Sequence, residues 1–172
     1  MDQPENPNES YRPPPIEEHG SVARQPLSVR AILSGVIVDW VATFASWTLI
    51  SVMAAAVAAS RYSSVEQMQG FLAKLGQSPD FVILTAIVGL ACVALGGFAS
   101  GKLARRDEVR HALLTGAVSL VIGIAVETSN GGEHLGWSPL WFRWLGHILV
   151  IPAAVFGGVV AAARETLPDG SG

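Results

Sequence analysis

Four titratable side chains stand inside or at the ends of apolar stretches: Asp39, Glu127, Arg143 and His147. Asp39 is the most isolated, with no other charged residue between Arg30 and Arg61. In a helix it lies roughly 13 Å beyond Arg30, at 1.5 Å per residue. An ionised aspartate near the centre of a membrane helix costs about 2.5–3.5 kcal/mol on insertion scales. It must therefore face other helices and find donors there, or carry a proton. Ser34, Thr43 and Ser119 are the candidate neighbours. Asp39, Thr43 and Ser119 can then be read as an ion or proton site, or as a buried hydrogen-bond anchor that fixes helix register. Arg143 and His147 are four residues apart and share a helix face. An ion pair from Glu127 to Arg143 is expected at the outer membrane boundary, with His147 one turn deeper and bonded to a carbonyl or to Glu127. This outer polar cluster can also be read as a binding site.

Other chemistry fails on inspection. Gly96 to Lys102 has the glycine and lysine spacing of a P-loop, but Leu103 stands where Ser or Thr is needed and the context is an apolar helix. Glu133-His134 lacks a second histidine at metal-site spacing, and no nucleophile–base pair is evident. No catalytic residue, cofactor or metal is expected, and the chain is expected not to be an enzyme.

The elements that must position these residues are four apolar runs, Ala31–Ala59, Phe81–Ala99, Ala112–Val126 and Leu140–Ala163. Of the 172 residues, 50% are hydrophobic and 15% charged. An apolar half is ordinary for soluble domains; here the distribution is unusual, because the runs hold almost no charge. About 20 apolar residues cross a hydrocarbon core of roughly 30 Å. The first run exceeds that and must tilt or project; the third borrows from its flanks, including Glu127. The expected fold is all-α: a four-transmembrane-helix bundle, with helices about 31–59, 80–104, 110–127 and 140–164 in a membrane domain spanning 27–166. The first run is too long for a cleaved signal and reads as an uncleaved anchor. Cys92, the single cysteine, allows no intrachain disulfide. The net charge of −3 comes with no basic patch for nucleic acid.

Residues 1–26, polar and rich in proline, are expected to be a disordered tail, and 167–172 a flexible one. Lysine and arginine placement sets the orientation. With cytoplasmic termini, Arg12, Arg24, Arg30, Lys102, Arg105, Arg106, Arg110 and Arg164 lie inside, and only Arg61, Lys74 and Arg143 outside. Trp137, Trp141 and Trp144 then form an outer aromatic belt. Ser63-Ser64-Val65-Glu66 reads as a capping box with Ser63 as N-cap. It opens a short amphipathic helix, expected at the outer interface.

In lipid, helices associate through close packing at small residues. Gly35 in the first span, Gly97 and Gly101 in the second, Gly116 and Gly123 in the third and Gly157 in the fourth are the expected packing positions. The larger Val36, Ile37, Trp40, Phe44 and Leu49 are expected to meet lipid. Arg30-Ala31-Ile32-Leu33-Ser34-Gly35 is echoed by His111-Ala112-Leu113-Leu114-Thr115-Gly116, and Gly96-Gly97 by Gly157-Gly158. The echo reads either as two parallel helical-hairpin repeats about an axis along the membrane normal or as convergence.

Three segments carry a resemblance: Gly35-Val36-Ile37-Val38-Asp39, Gly96-Gly97-Phe98-Ala99-Ser100-Gly101-Lys102-Leu103-Ala104-Arg105, and Ile151-Pro152-Ala153-Ala154-Val155-Phe156-Gly157-Gly158. Together they resemble a group of uncharacterised bacterial four-helix integral membrane proteins over most of Ala31–Arg164. Phe98 fits that group's aromatic residue after a Gly-Gly pair, and Val159 departs from it. The resemblance implies a bacterial inner (cell) membrane and four spans, and no activity. The leading functional expectation is a non-enzymatic accessory or scaffold protein. It would contact the lipid bilayer and associate with itself or a membrane-protein partner through small-residue helix faces. The alternative is a small oligomeric transporter or ion-coupled permease with Asp39 as the titrating site.

Overall fold

The computed structural model describes residues 27–129 and 140–165. The expectations placed on 1–26, on Trp137 and on 167–172 lie outside the described residues, as do those that concern the side chains of Trp141 and Arg143. Five helices follow one another: α1 (Val29–Arg61), α2 (Val65–Gln77), α3 (Pro79–Ala104), α4 (Glu108–Ser129) and α5 (Leu140–Glu165). All except α2 are long and apolar enough to cross a membrane. The protein is a multi-pass membrane protein whose four spans pack as a bundle.

Each helix start has a local cause. Ser28 caps α1, its hydroxyl accepting from the Ala31 N–H at 3.3 Å. Ser78 caps α3 by accepting from the Phe81 N–H at 3.4 Å, and Pro79 holds the first helical position, where a missing N–H costs nothing. The N-cap of α2 is Ser64, not Ser63. Its hydroxyl accepts from the Gln67 N–H at 3.3 Å. Ser64-x-x-Gln67 satisfies the same box one residue later, with Glu66 left in the first turn near the positive end of the helix dipole. No residue of α2 is buried; it links α1 to α3.

The spans form a rhombus. α3 and α4 pack together in the middle and each also packs on α1 and on α5. The described parts of α1 and α5 do not approach within 8 Å, Cα to Cα. Because the four spans alternate in direction, Val29 and Glu165 lie at the same end of the bundle, here termed the terminal end.

That end is tight, and glycine makes it so. A side chain at Gly35 would run into the Gly96 carbonyl and Ser100, and one at Gly96 into the Gly35 carbonyl and Asp39. The closest crossing joins α3 to α5: Gly97 sits against the Ala154 carbonyl, and Gly157 against the Ala94 carbonyl. The contact is reciprocal, an alanine and the glycine three residues after it on each helix. It obeys a local two-fold relation, offset by one residue from the Gly-Gly echo in the sequence. Gly158 and Gly101 close the same end against Ala112 and Ala161.

Polar residues bind the tight end further. His111, 5% exposed, receives the Ser28 N–H on Nε2 at 3.0 Å. Its Nδ1 lies 3.0 Å from the Asp107 carbonyl. A carbonyl only accepts, so Nδ1 carries the proton and the imidazole is neutral. This one ring ties the start of α1 to the start of α4. Thr115 Oγ1 lies 2.9 Å from both the His111 carbonyl and Ser100 Oγ, joining α4 to α3. The Arg164 guanidinium lies 5.5 Å from the Phe98 ring centre, a cation–π contact between α5 and α3. The 105–107 connector turns through two left-handed residues, Arg105 (φ 56°) and Asp107 (φ 54°).

Candidate functional site

Beyond Asp39 the bundle splays. Between the four spans lies a chamber of about 420 Å³, on the side of Asp39 away from the terminal end. Ligand pockets typically measure about 300–1,000 Å³. Its walls are mostly apolar, with Trp40 and Trp47 from α1, Leu90 and Val93 from α3, and Phe142 and Leu149 from α5. Space comes from what is missing. Gly89, Gly123 and Gly146 line the chamber, and a side chain on any of them would meet nothing within 4 Å. The same residue type thus does opposite work at the two ends. Gly35, Gly97, Gly101, Gly116 and Gly157 sit at contacts. Gly123 does not: it follows Ser119 by one turn on α4 and leaves a void.

The chamber has two polar stations. At its closed end is Asp39, 5% exposed and fixed by the Gly35–Gly96 crossing just below it. Thr43, one turn on, donates to Asp39 Oδ1 at 3.5 Å, the limit of a hydrogen bond. Ser119, 7% exposed, stands beside the carboxylate on α4. Its Oγ approaches Asp39 and closes no hydrogen bond among the described residues. Among the described residues no lysine or arginine side chain meets Asp39. Ser34, the other neighbour considered, does not line the chamber.

The second station lies two turns along α4, about 12 Å from Ser119 at 1.5 Å per residue. There Glu127 Oε2 and His147 Nε2 are 2.9 Å apart, half-buried, at the chamber wall. His147 has thus reached Glu127, one of the two partners expected for it. The Trp144 ring stands edge-on to His147 with centroids 6.2 Å apart, and is itself 60% exposed. Among the described residues no three His, Cys, Asp or Glu side chains gather in a metal-binding cluster.

No family model, curated protein or solved structure matches this chain. The resemblance read from its motifs is therefore without a matching family, and the chamber's own chemistry has to carry the functional reading. Two features of the bundle escape sequence reasoning. The residues that give it size are glycines and aromatics, which read as packing and lipid-facing positions. Trp40 in particular turns partly inward, where a lipid-facing position was expected. The second is His111, which reads in sequence as one more polar residue after a basic loop; a buried ring bridging two helix starts needs the fold to become visible.

Proposed function

We propose that this protein is a small carrier of the membrane, a permease that binds a solute in the chamber between its four spans. The observation that carries this reading is the chamber itself, a void faced by three glycines and closed at its deep end by a carboxylate. Mostly apolar clefts of this size with a few polar groups are the usual form of a small-molecule site, and a carboxylate buried at the end of an apolar cleft is costly unless something matches it. Asp39 serves as the group whose charge is matched by proton or solute. Four spans are few for a pathway through one chain, so the carrier works as an oligomer. The accessory or scaffold reading depends on small-residue faces left free for a partner. The glycines expected there turn inward, either to contacts within the bundle or to the chamber, which favours the carrier. The protein acts through binding and movement, not as an enzyme. The excess of lysine and arginine at the terminal end and in the 105–107 connector supports cytoplasmic termini; a bacterial inner membrane is what the motif resemblance implies.

The test is a thermal-stability screen of a small-molecule collection against the wild type and Gly123→Leu. A ligand at 100 times its Kd stabilises the form it binds by about 2.7 kcal/mol. Compounds that raise the melting temperature of the wild type should leave Gly123→Leu unmoved, because its Cβ meets no neighbour within 4 Å and the leucine takes up space in the chamber. A collection in which every stabilising compound acts equally on both proteins would count against the reading.

A further inference from the structure

Two carboxylates face the chamber, and they are not equivalent. Glu127 has His147 at 2.9 Å. Asp39 has only hydroxyls beside it: Thr43 at the limit of hydrogen bonding, and Ser119, whose buried Oγ stands next to the carboxylate and closes no hydrogen bond among the described residues. A buried carboxylate wants donors and a positive charge, and a buried hydroxyl oxygen wants a donor as well. One group supplies both needs: an ammonium, with several N–H donors on one positive centre. The wall above Asp39 is made for the remainder of such a molecule. Trp40, Trp47 and Phe142 line it and give an apolar body aromatic surface to lie on, and aromatic faces attract cations.

We propose that the chamber takes an organic monocation, its ammonium group bound between Asp39 and Ser119 and its apolar body lying between Trp40, Trp47 and Phe142. This rests on the carrier reading and adds the chemical class of the solute. A neutral molecule of the same shape leaves the carboxylate without its charge partner. An anion meets repulsion from Asp39. Glu127, already held by His147, is the lesser attraction and lies nearer the chamber's far end.

Three indoles of nearly equal shape separate these cases: tryptamine, a cation at neutral pH, tryptophol, neutral, and indole-3-acetate, an anion. Equilibrium binding to the full chain in lipid nanodiscs, with empty nanodiscs as blank, is the measurement. Tryptamine should bind about tenfold or more tighter than tryptophol, the ratio that one charge-assisted hydrogen bond supplies, and indole-3-acetate should not bind. Asp39→Asn should bring tryptamine down to the level of tryptophol. Ser119→Ala should weaken tryptamine several-fold and leave tryptophol unchanged. Glu127→Gln should keep the preference for the cation. Gly123→Leu, which puts bulk in the chamber at a position where a Cβ meets nothing within 4 Å, should weaken binding of every member. Equal binding of tryptamine and tryptophol, or a preference that survives Asp39→Asn, overturns the inference and leaves the chamber a binding site for neutral solutes. Absence of binding by all three also overturns it. The carrier reading falls with it only if the compound screen separates nothing either.

Discussion

Gly97→Ala should destabilise the bundle by about 3 kcal/mol, while Gly146→Ala should leave it unchanged or stabilise it by about 0.5–1 kcal/mol. The two substitutions add the same methyl group to apolar helices. At Gly97 the methyl group runs into the Ala154 backbone, carbonyl first. No rotamer relieves that contact, so α3 and α5 must move apart and lose the close approach that holds the tight end. At Gly146 it meets nothing within 4 Å, and what remains is the gain from replacing a flexible glycine within a helix. Gly157→Ala should match Gly97→Ala, because it strikes the Ala94 carbonyl in the other half of the same crossing. The double variant should cost clearly less than the sum of the two, since helices already parted by the first methyl group accommodate the second. Reversible unfolding in mixed micelles measures all four. Equal stabilities for the Gly97 and Gly146 variants would mean that the two ends of the bundle are packed alike.

Asp39→Leu should make the protein more stable by about 1–2 kcal/mol and at the same time remove its affinity for a cation. Aspartate and leucine branch at the same atom, and the greater bulk of the leucine methyl groups has room in the chamber that residue 39 lines. The exchange deletes one hydrogen bond at 3.5 Å and a carboxylate with no cationic partner among the described residues. Thr43 loses little, because its hydroxyl can turn back to the carbonyl four residues earlier on its own helix. A residue kept for binding and not for folding shows this combination, stability gained and function lost. The anchor reading of Asp39 predicts the reverse sign, a loss of about 1–3 kcal/mol as partners are left unsatisfied. The same unfolding assay, paired with tryptamine binding, separates the two.

Much of the architecture is legible in the sequence because lipid imposes a simple rule on length and charge. The expected helices at 31–59, 80–104, 110–127 and 140–164 correspond to Val29–Arg61, Pro79–Ala104, Glu108–Ser129 and Leu140–Glu165, differing by no more than a turn at any end. Ser78-Pro79-Asp80 marks the start of α3 plainly, since serine capping and a proline at the first helical position have few other readings. Adjacent serines before α2 mark its start only to within one residue. Val36, expected in lipid, is 7% exposed. α1 packs on both α3 and α4, so its buried stripe is wider than the single line of small residues that periodicity picks out. The limit is clearest with glycine. Gly97 and Gly123 look alike in sequence, each in an apolar helix among small residues. Whether a glycine admits a neighbouring backbone or leaves a void depends on where the facing helix runs, and no local pattern carries that information. Asp39 could be singled out by its isolation. That Ser119 would stand beside it unpartnered, and that Glu127 would be occupied by His147, depends on the rotation of α4 and α5.

The splayed half of the bundle, on the carrier reading, is a chamber that holds a solute, while the tight half holds the fold. The most direct test is to purify the wild type and Gly123→Leu from the same membranes in native-lipid nanodiscs, and to identify by mass spectrometry the small molecules each releases on denaturation. A cationic molecule should be bound near stoichiometrically to the wild type and absent from a Gly123→Leu variant that unfolds at the same or a higher denaturant concentration. The same molecules recovered in the same amounts from both proteins would contradict the carrier reading.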